Sequence, residues 1–214
     1  MPRFQAACAL VLAGAFALGG CKLVKTEDEQ RQTAAEAFNP DKLVADAWDT
    51  KVVPYLEQRA GVFQEVSALT ARDLNAAAEK YGHKEKQGNA PWTFAAKIDG
   101  VIVGEETKSR AAYVDVDVDG DGKADVRVSI GPAIRGTALR DSLAFVNFNE
   151  FKNQIEWAQY GKSFNAHVNG TLLEKLPRDG LTGKTIKATG AYPLPTKGQL
   201  PQFVPATITV GGGA

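Results

Sequence analysis

The sequence predicts an α+β fold, with N-terminal helices followed by a small antiparallel β-barrel. Three observations lead to this prediction. Apolar residues recur at helical spacing in residues 38–90, alternate with polar residues in three segments after residue 91, and return to helical spacing before two last alternating segments. Three strands, a helical insertion and two strands are the order of an OB-fold, a five-stranded barrel. An open antiparallel sheet with helices on one face is the alternative.

The first twenty residues have the pattern of an export signal. Arg3 precedes an apolar run over residues 4–18, which is too short to span a bilayer comfortably but long enough for a signal peptide. The run ends in Leu-Gly-Gly-Cys at 18–21, which resembles the bacterial lipobox, whose cysteine is lipidated. We therefore predict a signal peptide at 1–20 and a covalent lipid on Cys21 that anchors a periplasmic protein to a membrane.

The residues after the cysteine predict a tether. Residues 21–37 are polar and charged, without a clear apolar pattern. Lys22 follows the cysteine, and by analogy with enterobacterial sorting it slightly favours the outer membrane. The prediction is therefore a lipidated tether at 21–37, a helical region at 38–90 and a β domain at 91–214.

Composition excludes several classes of function. The chain has 25 basic and 25 acidic residues, so it lacks the basic excess that binding to nucleic acid needs. Its two cysteines are Cys8, inside the signal, and Cys21, so no disulfide or thiol chemistry is expected after processing. With His83 and His167 the only histidines, a zinc site of Cys and His ligands is not expected either.

Capping residues locate the predicted N-terminal helices. Asn39 can cap a helix that has Pro40 in its first turn, and Pro54 should kink or restart that helix. The sequence Thr-Ala-Arg-Asp at 70–73 predicts the start of a second helix, which should close at Gly82.

Alternating residues locate the predicted strands. The first strand covers Trp92 to Ile98 and should end at a turn formed by Asp99 and Gly100. The next two are expected at 113–118 and 126–130. The last two are expected at 185–192 and 204–210, with residues 193–205 as the loop that joins them.

Two helices are predicted between the third and fourth strands. Asn147 and Glu150 can cap the first, which should bury Ile155 and end at Gly161. The second should cover residues 163–176.

An acidic loop is the first candidate site. A loop that begins at Asp117 has acids at positions 1, 3, 5 and 9 and glycine at position 6, a spacing that resembles the calcium loops of dockerins and integrin-type repeats. These acids are Asp117, Asp119, Asp121 and Asp125. Position 12 is Val128 where an EF-hand has glutamate. The alternative is a β-hairpin with an acidic solvent face, on which crowded like charges give a bound cation some rationale.

The second candidate site lies in the segment Gly-Pro-Ala-Ile-Arg-Gly-Thr-Ala-Leu-Arg-Asp-Ser-Leu at 131–143. Arginine can grip a carboxylate or phosphate at two points, so Arg135 and Arg140 could clamp an anionic ligand or a partner. Alternatively, one of the arginines forms an internal ion pair with Asp141 or Glu150. The residues leave both possibilities open.

This segment also carries a family resemblance. Together with Phe-x-x-Phe-x-Asn-Gln-Ile at 148–155, the lipobox and the strand at 183–192, it resembles a family of predicted periplasmic lipoproteins of unknown function. The resemblance implies export, an OB-like domain and no established activity. Some members of the family are encoded near sugar importers that depend on a binding protein.

No catalytic motif is found in the sequence. The Gly-Lys-Ser at 161–163 and the Gly-Lys-Thr at 183–185 both lack the first glycine of a phosphate-binding loop. We therefore expect a non-enzymatic binding or interaction module with no cofactor beyond its lipid and possible calcium. Its expected partners are the membrane and an envelope protein or transporter component. The alternatives are an accessory lipoprotein of an ABC-type sugar importer and an enzyme with an unrecognised site.

Overall fold

A computed structural model describes residues 38–86 and 90–213. The predicted signal at 1–20, the tether at 21–37 and Cys21 lie outside the described residues. Residues 38–214 group as one compact unit, which contains both the helical region and the β domain. No helix in the described part of the chain is long and apolar enough to cross a membrane.

Among the described residues, four α-helices precede the barrel. Helix α1 covers Pro40–Ala47 and continues through a π-helical turn at Trp48–Val52 into α2 at Val53–Arg59. Helices α3 and α4 cover Phe63–Arg72 and Leu74–Tyr81. Helix α3 was not predicted.

The caps explain which helix predictions hold. The Asn39 side chain accepts a hydrogen bond from the Lys42 amide at 3.0 Å, as predicted for the start of α1. The prediction that Thr70 starts a helix is wrong, because its hydroxyl donates to the carbonyl of Val66 inside α3. Asp73 caps α4 instead, through a bond from the Ala76 amide.

Seven strands form one sheet. They are β1 Gly61–Val62, β2 Gly82–His83, β3 Thr93–Glu106, β4 Tyr113–Asp117, β5 Val126–Ser129, β6 Lys184–Pro193 and β7 Gln202–Gly213. The five longer strands pair in a closed cycle, in the order β3, β4, β5, β7, β6 and back to β3. The prediction of a five-stranded antiparallel barrel is therefore correct only in part, because β1 and β2 extend the sheet and the β5–β7 pair is parallel.

The predicted turn at Asp99 and Gly100 is wrong, because β3 continues through both residues. A Cβ atom at position 100 would overlap the carbonyl oxygen of Asp117 on the neighbouring strand. Glycine is needed here for the close approach of two backbones, which is a role that a strand glycine can have in place of a turn.

The insertion between β5 and β6 also differs from its prediction. It contains α5 at Ala138–Asp141, short 3₁₀ turns at Phe148–Glu150 and Leu173–Lys175, and one 18-residue helix, α6, at Gln154–Thr171. Two helices were expected here, separated at Gly161.

Side-chain packing explains the single long helix. Asn153 caps α6 by accepting from the amides of Ile155 and Glu156. Ile155, predicted to be buried, is 69% exposed. Gly161 lies inside this helix, and glycine is needed there because a Cβ atom would meet Thr137 and Arg140 at 2.5 and 2.7 Å.

The apolar residues form two cores. One fills the barrel, with Phe94, Ile102 and Phe203 among its members. The other lies between the barrel and helices α1, α2 and α6, where Trp48 and Phe164 pack against Ala95. Consecutive residues of β3 are therefore buried on opposite faces, which removes the alternation expected there. The helices cover one side of the barrel. They do not cover the outer face of β4 and β5, where a cleft lies.

Candidate functional site

The acidic loop connects β4 to β5. Single oxygens of Asp117, Asp119 and Asp125 lie within 4.8 Å of one another. Asp117 is only 6% exposed, and its carboxylate accepts hydrogen bonds from the amides of Asp119, Gly120 and Gly122 at 2.7–3.1 Å. These backbone bonds, the one from Gly122 above all, hold the pKa of Asp117 below its ordinary value.

The remaining acids of the loop are also bound within it. Asp125 accepts from the amide of Val118, and Asp121 pairs with Lys123 at 2.9 Å instead of joining the cluster of three. The cluster consists of hard oxygen ligands of the kind that calcium prefers. Calcium binding at this loop stays a prediction, with Asp121 outside the set of carboxylates that the structure brings together.

Arg140 is the buried member of the second candidate site. Its side chain is 7% exposed and stacks on Trp157, with 3.8 Å from the guanidinium carbon to the ring centroid. It donates to Asp141 at 2.6 and 2.8 Å, to the carbonyl of Trp157 at 2.9 Å and to the Thr137 hydroxyl at 3.0 Å. All three guanidinium nitrogens therefore have partners within the protein, and the residue ties α5 to α6.

Arg135 has the opposite environment. It is exposed, and no hydrogen bond or ion pair within the described ranges involves its side chain. It lines a cleft that Arg140 does not reach. Of the two alternatives, the structure has the internal ion pair, which Arg140 forms with Asp141, and every nitrogen of the Arg140 guanidinium is bound inside the protein.

The cleft lies on the outer face of β4 and β5 and has a volume of about 630 Å³. Its walls come from the loop between β3 and β4, the two strands, the segment after β5, the loop between β6 and β7, and the first residue of β7. The lining residues are Ser109, Ala111, Ala112, Tyr113, Arg127, Ser129, Ala133, Arg135, Gln199, Leu200 and Gln202.

Arg127 is held in a fixed orientation in the cleft. Its Nε and Nη2 donate to the two oxygens of Asp115, at 2.8 and 2.9 Å. Its guanidinium carbon lies 3.6 Å from the centroid of the Tyr113 ring. The hydrogen bond with Asp115 raises the pKa of Arg127 above its ordinary value. Nη1 has no partner in the described chain, and the side chain is 30% exposed.

Sequence reasoning missed Arg127. Asp115 and Arg127 are directly opposite each other in the antiparallel β4–β5 pair. A cross-strand pair of opposite charge is a recognisable signal once the hairpin register is known. The acidic loop between the strands hides this signal, because the register depends on how many of its residues form the turn.

The two histidines have structural contacts. Nδ1 of His83 lies 2.8 Å from the carbonyl oxygen of Asp141. His167 packs against Trp48, with ring centroids 4.4 Å apart, and desolvation lowers its pKa although Asp49 acts in the opposite direction. Neither histidine lines the cleft.

Comparison with solved structures supports the fold. The chain is similar to an OB-fold protein from Thermotoga maritima, with a TM-score of 0.63 and 16% identity over 81% of this chain and 99% of that one. At this identity the likeness is evidence for the fold alone. No curated protein sequence matches the chain.

The family comparison covers nearly the whole chain. The family model described as "Predicted periplasmic lipoprotein (DUF2291)" matches residues 11–209. The match confirms the resemblance noted in the sequence and supports a periplasmic, membrane-anchored protein. The chain belongs to this family of predicted periplasmic lipoproteins, whose function is unknown.

Proposed function

We propose that this lipoprotein is a non-enzymatic binding module that holds a ligand in the cleft beside β4 and β5. The observation that carries the proposal is the position of the cleft. OB-folds bind ligands on the face of their second and third strands, between the loop that joins strands one and two and the loop that joins strands four and five. In the barrel of this chain these are β4, β5, residues 107–112 and residues 194–201, and all four contribute to the cleft.

The size and lining of the cleft also suit the binding of a small molecule. Small-molecule sites have volumes of about 300–1,000 Å³, and this cleft of about 630 Å³ lies in that range. Its lining contains small apolar side chains, and its polar groups are hydroxyls, amides and two guanidinium groups. No carboxylate, imidazole or thiol is among its lining residues, so the lining offers no ordinary general base. These features favour binding without catalysis.

A lipid on Cys21 would keep this module at the membrane, and the outer membrane is our proposed location. Residues 22–37 would then separate the lipid from the first described helix. In the cell, Cys21→Ala should release the protein from membranes or leave the precursor uncleaved. Normal cleavage with unchanged membrane fractionation would contradict lipidation at this residue. Separation of inner and outer membranes by density tests the location.

Photo-crosslinking in intact cells tests the cleft. A photoreactive amino acid would replace Gln199, which is exposed in the cleft, and in a matched control it would replace Lys175, which is exposed outside it. We expect a specific adduct, identified by the mass of the lipoprotein, at position 199 and not at position 175. Equal labelling at both positions, or no adduct at position 199, would contradict a ligand site in the cleft.

A further inference from the structure

We infer that the cleft recognises an anionic saccharide, whose carboxylate or phosphate is bound between Arg127 and Arg135. This inference rests on the proposed function, because it assigns a ligand class to the same cleft. The evidence is the charge around the cleft, the geometry of its two arginines, and the remaining polar groups of its lining.

Charge is distributed unevenly around the cleft. The three loops at its rim, residues 107–112, 131–136 and 194–201, contain four basic residues and no acidic residue. The basic residues are Lys108, Arg110, Arg135 and Lys197. The whole chain has equal numbers of acidic and basic residues, so this is a local excess. A concave surface with one sign of charge concentrates ligands of the opposite sign.

The two arginines of the cleft are ready to donate hydrogen bonds. Asp115 and the Tyr113 ring fix the plane of the Arg127 guanidinium, and Nη1 has no partner among residues 38–86 and 90–213. Arg135 lines the same cleft, and none of its donors is used within the described ranges. Guanidinium groups match the geometry of carboxylates and phosphates, and an arginine that is already oriented loses less entropy on binding.

The other polar groups suit the hydroxyls of a sugar. Ser109 and Ser129 provide hydroxyls, and Gln199 provides an amide. The Gln202 amide nitrogen donates to the carbonyl of Leu200 at 3.0 Å, which leaves its oxygen as an acceptor. Such groups donate and accept within a small volume, as recognition of a polyhydroxylated ligand requires.

A single-stranded nucleic acid fits less well. OB-folds that bind one stack successive bases on several aromatic side chains. Tyr113 is the one aromatic residue in the lining, and Arg127 covers a face of its ring. The cleft therefore lacks a stacking surface for more than one base.

Calorimetry on the full lipoprotein, purified in detergent micelles, tests the inference. The probes are trigalacturonate, its methyl ester as the neutral match, glucose 6-phosphate and oligothymidylate. We expect trigalacturonate or glucose 6-phosphate to bind, and the ester to bind at least about tenfold more weakly, or about 1.4 kcal/mol. Stronger binding of trigalacturonate would identify an acidic polysaccharide as the source of the ligand. Stronger binding of glucose 6-phosphate would identify a free sugar phosphate.

Variants assign the effect to residues. Arg135→Ala should reduce binding of the anion by at least about tenfold and leave the melting temperature unchanged, because its side chain is exposed and makes no hydrogen bond or ion pair with any described residue. Arg127→Lys keeps the positive charge at this position and should still reduce binding of the anion. Arg72→Ala is the matched control, since Arg72 is exposed outside the cleft. Equal effects of Arg72→Ala and Arg135→Ala would overturn the inference.

The remaining outcomes separate the two proposals. Equal binding of trigalacturonate and its ester would overturn the anionic class and leave the proposed function intact. Preference for oligothymidylate would also overturn it. If no probe binds but cross-linking at position 199 yields an adduct, the inference fails and the binding function stands. If neither experiment gives a signal, both fail.

Discussion

Arg135 and Arg140 are five residues apart in one segment, and their environments in the structure are opposite. Arg140 is buried against Trp157, and each of its nitrogens has a partner inside the protein. Arg135 is exposed at the edge of a cleft, and none of its nitrogens has a hydrogen-bond partner in the part of the chain that the structure describes. The sequence around them makes both residues equal candidates for anion binding. Their environments show that a residue type that suits anion binding can be used entirely for packing.

The β4–β5 hairpin repeats this contrast. At its tip, the carboxylates of the acidic loop are bound by amides of the same loop. Within the paired strands, Arg127 is bound by Asp115 on one edge only, and its Nη1 has no partner among the described residues. Polar groups that are satisfied internally stabilise the fold, whereas an oriented donor without a partner is available to a ligand.

The largest expected effect is on stability at the buried arginine. Arg140→Met should lower the free energy of unfolding by about 3–5 kcal/mol, because Asp141 and the carbonyl of Trp157 lose their partner. Arg135→Met should change it by less than about 0.5 kcal/mol. Urea denaturation of both variants measures the difference. Equal destabilisation would remove the contrast between the two residues.

A pair of glycines in α6 tests the packing around Arg140. Gly161→Ala should destabilise by about 1–3 kcal/mol, because the new methyl group meets Thr137 and Arg140. Gly170→Ala should stabilise by about 0.5–1 kcal/mol, since nothing lies within 4 Å and alanine favours a helix. Thermal unfolding should show opposite shifts, and shifts of the same sign would mean that Gly161 has no special packing role.

A smaller effect is expected from pH on the packed side of the molecule. Desolvation holds the pKa of His167 below its ordinary value, so the unfolded chain binds a proton more readily than the folded protein. Stability should therefore fall as the pH drops below about 6.5, the ordinary histidine pKa. His167→Gln should flatten this part of the stability profile. An unchanged profile in the variant would assign the pH dependence to other groups.

The smallest effect is expected from removing divalent cations. Because the Asp117 carboxylate is already held by three backbone amides, the loop should keep its shape under chelation. We expect EDTA to shift the melting temperature by less than about 2 °C. A rise in melting temperature with calcium that is lost in Asp119→Asn would instead identify a cation site and place a second ligand at the tip of the hairpin.

The strand order was predictable because each barrel strand alternates or is strongly apolar and the insertion has helical spacing. The errors arise where one residue type has two uses. Gly100 resembles a turn glycine but serves the approach of two strands, and Gly161 resembles a helix stop but makes room for Arg140. Local patterns do not distinguish these uses, because the neighbour that decides between them is distant in sequence.

The site was less predictable than the fold. Arg135 was a candidate from its segment alone, but its cleft is built by loops almost 90 residues apart in the chain. Arg127 and Gln199 have no sequence motif, and they come together only when the barrel closes. A site of this kind follows from topology, and it becomes visible when the loops of an OB-like barrel are assigned to their positions.

The most direct test of the account is nuclear magnetic resonance of the arginine side chains during titration with trigalacturonate or, if it binds more strongly, glucose 6-phosphate. We expect the guanidinium signals of Arg127 and Arg135 to shift together and to saturate at one affinity, while the Arg140 signals stay in place. The assignment of the cleft as the anion site would be contradicted if binding saturated while the Arg127 and Arg135 signals stayed in place, or if only the Arg140 signals shifted.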